Sequence, residues 1–397
     1  MKRSRLLLFS SCVCAVFLFS ECLSFAAESK TLNIGAVDSL TGWMAAGENP
    51  THEGSVLAAG WINDKGGITV KGVKYKIKLI TEDAKSSPEG MAAACTKLVE
   101  KNKVKFIIGG VNGVMNIAAS SVTEPAGVLR LANYNTVNRD EIGSKVPLSF
   151  FSNTTIQGMR PQLTYLKEKY PQAKKLALSS PGDQEGQYRA MYLKPIAEAL
   201  GLTVVHSGEW PGETVDFTPI MQKALAFDPD AIVFMDGWAY HVGAQIKAAR
   251  AVGFKGPVLS TDSEIVTEVL QITGADVGEG YFACAWEMYS PEMPALVKKE
   301  LIPRASGKLG RLNQWQVWGW NTLWILVQMI ESAQSLDPAV VAKHFRTMKT
   351  VQTIFGKGVI GGEKTFGINC VVGPPQAIYT AKGGQATFVK WVETSTP

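Results

Sequence analysis

The sequence predicts an α/β protein of two lobes, each built on a parallel sheet flanked by helices. Three observations carry that prediction. The 397 residues exceed what one ordinary core holds, so two domains are the natural reading. Short apolar runs of buried-strand type alternate with stretches at helical spacing, the pattern of parallel sheets with right-handed crossovers. The alternation then restarts after Ser149-Phe150-Phe151-Ser152. A composition 46% apolar and 19% charged excludes a disordered chain.

The N-terminus reads as a targeting signal rather than as part of the fold. Lys2, Arg3 and Arg5 form a charged start, and Leu6 to Phe19 an apolar stretch too short for a comfortable membrane span. Ser24-Phe25-Ala26 offers small residues where a signal peptidase reads, which places cleavage near Ala26 and the signal at 1–26. Cys22 offers a lipoprotein alternative, against which Glu21 stands as a poor neighbour for a lipidated cysteine. The formal charge of +5 falls to +3 without this segment, too little to imply nucleic acid.

The first mature strand is Leu32 to Val37, an apolar run of buried parallel type. The polar turn Asp38-Ser39-Leu40-Thr41-Gly42 lies at its carboxyl end, where open α/β sheets bind ligands. After a small-residue loop, Val56, Leu57, Gly60 and Trp61 fall at helical spacing, and Asn63-Asp64-Lys65-Gly66-Gly67 stops that helix. Val73 to Glu82 alternates as a strand. Ser87-Pro88-Glu89 starts a helix with a hydroxyl cap, a proline and an acid, and Met91, Ala94, Cys95, Leu98 and Val99 give it an apolar face. Val104 to Ile108 is another buried strand, followed by Gly109-Gly110-Val111-Asn112-Gly113 and a helix through Ile117 and Ala118. Val128 to Ala132 is a strand that ends at Asn133-Tyr134-Asn135-Thr136.

In the second half, Asn153 or Thr154 caps a helix through Leu163 and Leu166. Strand Leu176 to Ser180 ends at Pro181-Gly182-Asp183-Gln184-Glu185-Gly186. A helix to Leu200, a strand near Val204, a helix over 217–227 and strand Ala231 to Met235 follow, the last ending at Asp236-Gly237-Trp238. A helix to Val252 and strand Pro257 to Ser260 lead to Thr261-Asp262-Ser263. Gly280 to Trp286 reads as a strand returning to the first lobe. Helices are expected at 291–306, 314–335 and 338–348, and a strand-like tail at 376–392. The richest apolar stretch, Trp315 to Ile330, is interrupted by Gln316, Gly319, Asn321 and Gln328 and reads as a core helix.

Little in the chain points to catalysis. The four histidines, His52, His206, His241 and His344, form no zinc spacing, and neither a GxSxG elbow nor a GK[ST] phosphate loop is present. Nothing activates a nucleophile. Of six cysteines, Cys12, Cys14 and Cys22 lie in the signal. The odd remainder, Cys95, Cys284 and Cys370, reads as small buried hydrophobes. Neither a metal nor a cofactor is expected.

Ile34-Gly35-Ala36, Leu40-Thr41-Gly42 and the stretch Gly60 to Ile68 resemble the start of the periplasmic leucine/isoleucine/valine-binding proteins, the substrate-binding components of ABC transporters. The resemblance keeps the order of elements over nearly the whole mature chain. It implies the type I periplasmic binding fold: two Rossmann-like lobes joined by a three-crossing hinge, with crossings near 150–153, 284–287 and 365–375. The N-terminal lobe would then take 27–152 and 286–368, and the C-terminal lobe 153–285 and 369–397. Several crossings make a stiff hinge suited to lobe closure.

By the same resemblance the ligand would be held by turns at strand ends. The first lobe offers Ser39, Thr41 and Trp43, then Asn112 and Gly113 at a helix N-terminus, then Tyr134 and Thr136. The second offers Asp183, Trp238 with Asp236, and Asp262. Thr136 matches the family's threonine, but Gly113 stands where a serine is usual and Tyr134 where a small residue is. Asp183 and Trp238 replace frequent tyrosines, and Asp262 a frequent glutamate. Lys85 and Asn112 occupy the places of a cysteine pair, so that disulfide is absent. These departures favour a ligand with positive charge or several donors over the usual leucine, isoleucine or valine.

Each residue has a plainer role open to it. Ser39 and Thr41 can satisfy their own turn, Asn112 and Gly113 can shape theirs, and Asp183 and Asp262 can cap helices. Trp43 and Trp238 can be packing, and Asp236 a turn residue. Asp216 reads as a helix cap, and Glu48 and His52 as solvated loop residues. The resulting expectation is a monomeric, non-enzymatic periplasmic component of an ABC-type importer. It would bind an amino acid, amide or related compound between closing lobes and dock on an inner-membrane ABC permease, with no nucleic acid. A ligand sensor feeding a receptor, or an exported amide or ester hydrolase, are the alternatives.

Overall fold

The computed structural model describes residues 29–135, 138–235, 238–261, 265–305 and 312–394; the expected signal lies outside them. Strand β1, Lys30–Asp38, is buried over its last five residues. Helix α1, Ala45–Asp64, begins earlier than the apolar spacing suggests and carries Pro50 within it. Its buried face is also not the expected one. Val56 is exposed, and the face turned inward is mostly small: Gly47, Thr51, Gly54, Ser55 and Ala58, with Trp61 and Ile62. The glycine stop is real: Gly66 and Gly67 take φ values of +103° and +82°. Strands β2, Ile68–Val70, and β3, Val73–Asp83, form a hairpin around Lys71 and Gly72, both at positive φ.

Helix α2, Pro88–Thr96, starts as expected, with Ser87 Oγ accepting from the Gly90 amide at 3.0 Å. Strand β4, Phe106–Ile108, helix α3, Gly113–Thr123, and strands β5, Leu129–Ala132, and β6, Ser149–Phe151, complete the first run. The second contains α4, Met159–Lys169, β7, Lys175–Pro181, α5, Gln184–Ala199, β8, Thr203–Trp210, and α6, Thr218–Leu225. It continues through β9, Ala231–Phe234, α7, Ala239–Ala251, β10, Val258–Ser260, α8, Val266–Thr273, α9, Ala275–Gly278, and β11, Phe282–Ala285. The chain then forms α10, Ile302–Ala305, α11, Gln314–Ala333, α12, Pro338–Thr347, β12, Thr350–Thr353, β13, Gly356–Gly361, and α13, Glu363–Phe366. It ends in β14, Val371–Gly373, β15, Gln376–Lys382, and β16, Gln385–Val392.

Two sheets result. The first runs β12-β13-β14-β6-β5-β4-β1-β3-β2 and the second β16-β15-β11-β10-β9-β7-β8. Their centres are parallel, and antiparallel strands edge both, which makes each sheet mixed. The chain passes between sheets after Phe151, after Ala285 and after Gly373. Two sequence expectations shift. The Gly280–Trp286 segment is not yet in the first lobe: β11 pairs with β10 and β15, and the return follows it. The last passage falls later than the 368/369 division, because β14 still pairs with β13 and β6.

Helices α1 and α11 cross at backbone contact. A Cβ on Gly54 would lie 1.9 Å from the Gln316 carbonyl oxygen, and one on Gly319 1.7 Å from that of Thr51. Ser55 Oγ donates to the Gly319 carbonyl at 3.1 Å. This crossing carries the N-terminal turn of α11 to the carboxyl ends of the central strands. As expected, α11 is largely buried and the three described cysteines are buried and unbridged. Burial pushes the Cys95 thiol up to about 11 and Cys370 up to about 12, and raises that of Cys284. Among the described residues no helix is long and apolar enough to cross a membrane.

Candidate ligand-binding cleft

The strand ends of the two sheets open onto a cavity of about 300 Å³. Its first wall comes from the start of α1 (Trp43, Met44, Gly47, Glu48), from Val111 and Asn112 before α3, and from Tyr134 after β5. The opposite wall comes from the β7–α5 turn with Asp183, Glu185 and Arg189, from Trp210 at the end of β8, and from Trp238, Tyr240 and His241 at the start of α7. Gln314, Trp315 and Trp318 of α11 close the cavity between them.

The lining rings form a continuous chain. Tyr134 stacks on Trp318, with centroids 5.1 Å apart and planes 10° apart. Trp318 meets Trp315 edge-on at 4.8 Å, and Trp315 reaches Trp238 at 5.8 Å. Trp238 continues to Tyr240, Tyr240 to His241, and His241 to Trp210 at 4.8 Å. Such a belt offers π-faces to an apolar or cationic group. Trp43, Tyr240 and Trp238 are 72%, 55% and 41% exposed, large apolar surface left open at the mouth.

Beneath the belt lies a buried acid. Glu48 has no exposed surface; one carboxyl oxygen accepts from the Ser39 amide, and Oε1 has no hydrogen-bond partner among the described residues. Burial, reinforced by the charge of nearby Asp38, pushes its carboxyl up to about 7, against the pull of Ser39 and of the Val111 backbone. Asp38 is itself held by Asn133 Nδ2 at 3.2 Å and by His52 Nδ1 at 3.3 Å. Glu48 and His52 are therefore not solvated loop residues: α1 starts before them and turns both inward or against the β1 end.

Three more buried polar atoms in the lining have no partner among the described residues: Gln314 Oε1, Trp210 Nε1 and Trp318 Nε1. Buried polar groups are usually satisfied, and four such atoms belong to residues that line this one cavity, where a hydrogen-bonding guest could reach them. Arg189 is committed to the protein. Its Nη1 donates to the Met235 carbonyl at 3.0 Å, its Nη2 to Tyr134 Oη at 3.3 Å, and it pairs with Glu185.

The structure sorts the sequence candidates. Trp43, Asn112, Tyr134, Asp183 and Trp238 all line the cavity. Asn112 and Asp183 also cap helices, accepting from the Val114 amide at 3.1 Å and the Gly186 amide at 2.8 Å. Ser39, Thr41 and Gly113 are not in the lining. Ser39 is buried with its hydroxyl on Met115 Sδ at 3.7 Å, and Thr41 Oγ1 donates to Asp83 Oδ2 at 2.6 Å, so both serve their turn. Gly113 is the first residue of α3. Thr136, Asp236 and Asp262 lie outside the described residues. Asp216 accepts from the Thr218 amide at 2.9 Å at the start of α6, as a cap would. The sequence reading missed Glu48, Arg189, Trp210, Gln314, Trp315 and Trp318. Only the polar interruptions in the Trp315–Ile330 stretch hinted that its helix has a second use.

A sequence model of the periplasmic binding proteins matches residues 31–373. A Leu/Ile/Val-binding protein of Citrobacter freundii is 25% identical over 338 residues, 84% of this chain and 88% of its own. Two solved structures share the fold. One is a branched-chain amino acid transporter substrate-binding protein of Streptococcus pneumoniae in complex with isoleucine (TM-score 0.71, 19% identity, 91% of this chain and 100% of that one). The other is an ABC transporter solute-binding protein of Rhodopseudomonas palustris in complex with p-hydroxybenzoic acid (TM-score 0.74, 18% identity, 92% and 98%).

Proposed function

The chain belongs to the periplasmic binding protein family, of the branched-chain amino acid ABC transporter type, and on that premise we propose that it is the exported solute-binding component of an ABC-type importer. It takes a small polar ligand into the cleft between the two sheets, closes over it, and presents the closed form to a permease in the inner membrane. It acts on the ligand by binding alone. The observation that carries this reading is the cluster, in an aromatic cleft, of four buried polar atoms without a partner among the described residues. Closure would remove the exposed rings from water and strengthen every polar contact inside. Among the sequence candidates, Trp43, Asn112, Tyr134, Asp183 and Trp238 are the contacts we assign, with Thr136 and Asp262 kept as further contacts.

The test begins with the mature chain from Ala27, denatured and refolded to strip carried-over ligand. Solutes released from the native protein are identified by mass spectrometry and returned to the refolded protein in a thermal-shift assay. A large upward shift is expected, since a ligand stabilises the state that binds it. Small-angle scattering should show compaction at saturation. Chemical turnover of the returned solute, or no compaction, would overturn the reading.

A further inference from the structure

The charges and hydrogen-bonding capacities in the cleft select among ligands. Among the described residues, three carboxyl groups line it, those of Glu48, Asp183 and Glu185, against one guanidinium, Arg189. That guanidinium is already held by Glu185, by Tyr134 Oη and by the Met235 carbonyl. A ligand carboxylate thus meets an excess of acid and a cation whose two Nη groups are already engaged. The open acceptors, Glu48 Oε1 and Gln314 Oε1, call for ligand N–H groups. The open donors, the indole N–H groups of Trp210 and Trp318, call for an oxygen acceptor. The ring belt from Tyr134 to Trp238 supplies the faces over which an ammonium is attracted.

We infer that the cleft is built for a net cation: a protonated amine on an apolar or aromatic body that also carries a neutral oxygen acceptor, rather than a zwitterionic α-amino acid. This rests on the solute-binding reading above and names the ligand class of that same site. Glu48 is the buried counter-charge and must be ionised to serve. Among the described residues, the charged groups and histidines beside it or across the cavity are Asp38 on β1, His52 on its own helix α1, Asp183 at the start of α5, Glu185 and Arg189 on α5, and His241 on α7. With its carboxyl near pH 7, Glu48 loses a proton when the cation enters from a mildly acidic solution. Amine affinity therefore rises with pH through neutrality.

The experiment uses two matched series on the stripped full mature chain: tyramine, tyrosine and 4-hydroxybenzoate, and leucinol, leucine and 4-methylpentanoate. Calorimetric titrations run at pH 6 and pH 8. At pH 8 the amine of at least one series is expected to bind about tenfold or more tighter than its zwitterion and its anion. At pH 6 that advantage should shrink by up to roughly tenfold, with proton release seen as a buffer-dependent heat. Glu48→Gln should weaken the amine and flatten its pH dependence, with an unchanged circular dichroism spectrum showing an intact fold. Asp183→Asn, which leaves Glu48 in place, should retain the pH dependence. Equal or tighter binding of tyrosine, leucine or either anion overturns the inference while leaving a solute-binding cleft in place. Amine affinity that rises on acidification, or silence from both amines, also overturns it. The solute-binding reading falls separately, if no solute is released from the native protein and none of the six compounds binds.

Discussion

The indoles of Trp238 and Trp315 stand 5.8 Å apart with planes 34° apart, one at the start of α7 on the second sheet and the other in the first turn of α11. This ring pair joins the two walls of the cleft. Both rings line the cavity, so the proposed ligand contact and closure would each act on this pair.

Trp238→Ala and Trp315→Ala should each weaken ligand binding by about 2 kcal/mol, roughly thirtyfold, as truncating a central aromatic anchor does. Trp238→Ala should leave the thermal midpoint of the unliganded protein nearly unchanged, since that ring is 41% exposed. Calorimetry with the co-purified solute and an unliganded melting curve check both halves. Unchanged affinity in both variants would place the ligand elsewhere.

Glu48 makes a second test, in stability rather than binding. Its folded-state carboxyl is raised from 4.5 to about 7, so the folded chain holds a proton that the unfolded chain has already released. The sign follows: stability is intact below about pH 4.5 and is lost as pH rises through 7. Glu48→Gln keeps an acceptor for the Ser39 amide and removes the charge. Without ligand, the variant should gain on the wild type by about 2–3 kcal/mol between pH 5 and pH 8 in urea denaturation. A gain that is constant with pH would show that Glu48 ionises freely in the folded protein.

The route from sequence to site was uneven for physical reasons. Parallel strands buried on both faces announce themselves, and Ser87-Pro88 and the Gly66-Gly67 stop are local signals that tertiary structure left alone. That Trp43, Asn112, Tyr134, Asp183 and Trp238 line the cavity was legible because open α/β sheets form their crevice at strand ends. Helix α1 hid its phase, because its inward face before Trp61 and Ile62 is mostly glycine, serine, threonine and alanine and so carries little hydropathy. Pro50 further disguised its start, and with it Glu48. Trp315 and Trp318 read as core because their helix is core; only its first turns face the cavity. Arg189 and Trp210 reach the cleft from separate elements, and no spacing in the chain encodes that meeting.

The α1–α11 crossing should be the least tolerant point of the first lobe. Gly319→Ala and Gly54→Ala each place a methyl within 2 Å of a backbone carbonyl oxygen on the other helix, where no rotamer can yield. Each should cost about 3 kcal/mol or more, or prevent folding, by the overpacking route. Gly60→Ala is the matched control on the same helix, where an added Cβ meets nothing within 4 Å. It should be neutral or stabilising by up to about 1 kcal/mol. Urea denaturation of the three variants compares them, and equal costs at Gly54 and Gly60 would refute close backbone contact.

Asp183 is both a helix cap and part of the cleft lining, and Asp183→Ala alone cannot separate the two. Its carboxylate caps α5 through the Gly186 amide at 2.8 Å, and it also lines the cleft. Asp183→Ala should cost about 1 kcal/mol of stability, the usual value of a lost cap, and should also weaken binding. Asp183→Asn retains a capping oxygen and removes the charge, so stability should return to within a few tenths of a kcal/mol. If the charge serves the ligand, affinity stays low in the Asn variant, by roughly threefold to tenfold. If affinity returns along with stability, Asp183 is a cap that happens to border the cleft, and the ligand contact belongs to its neighbours.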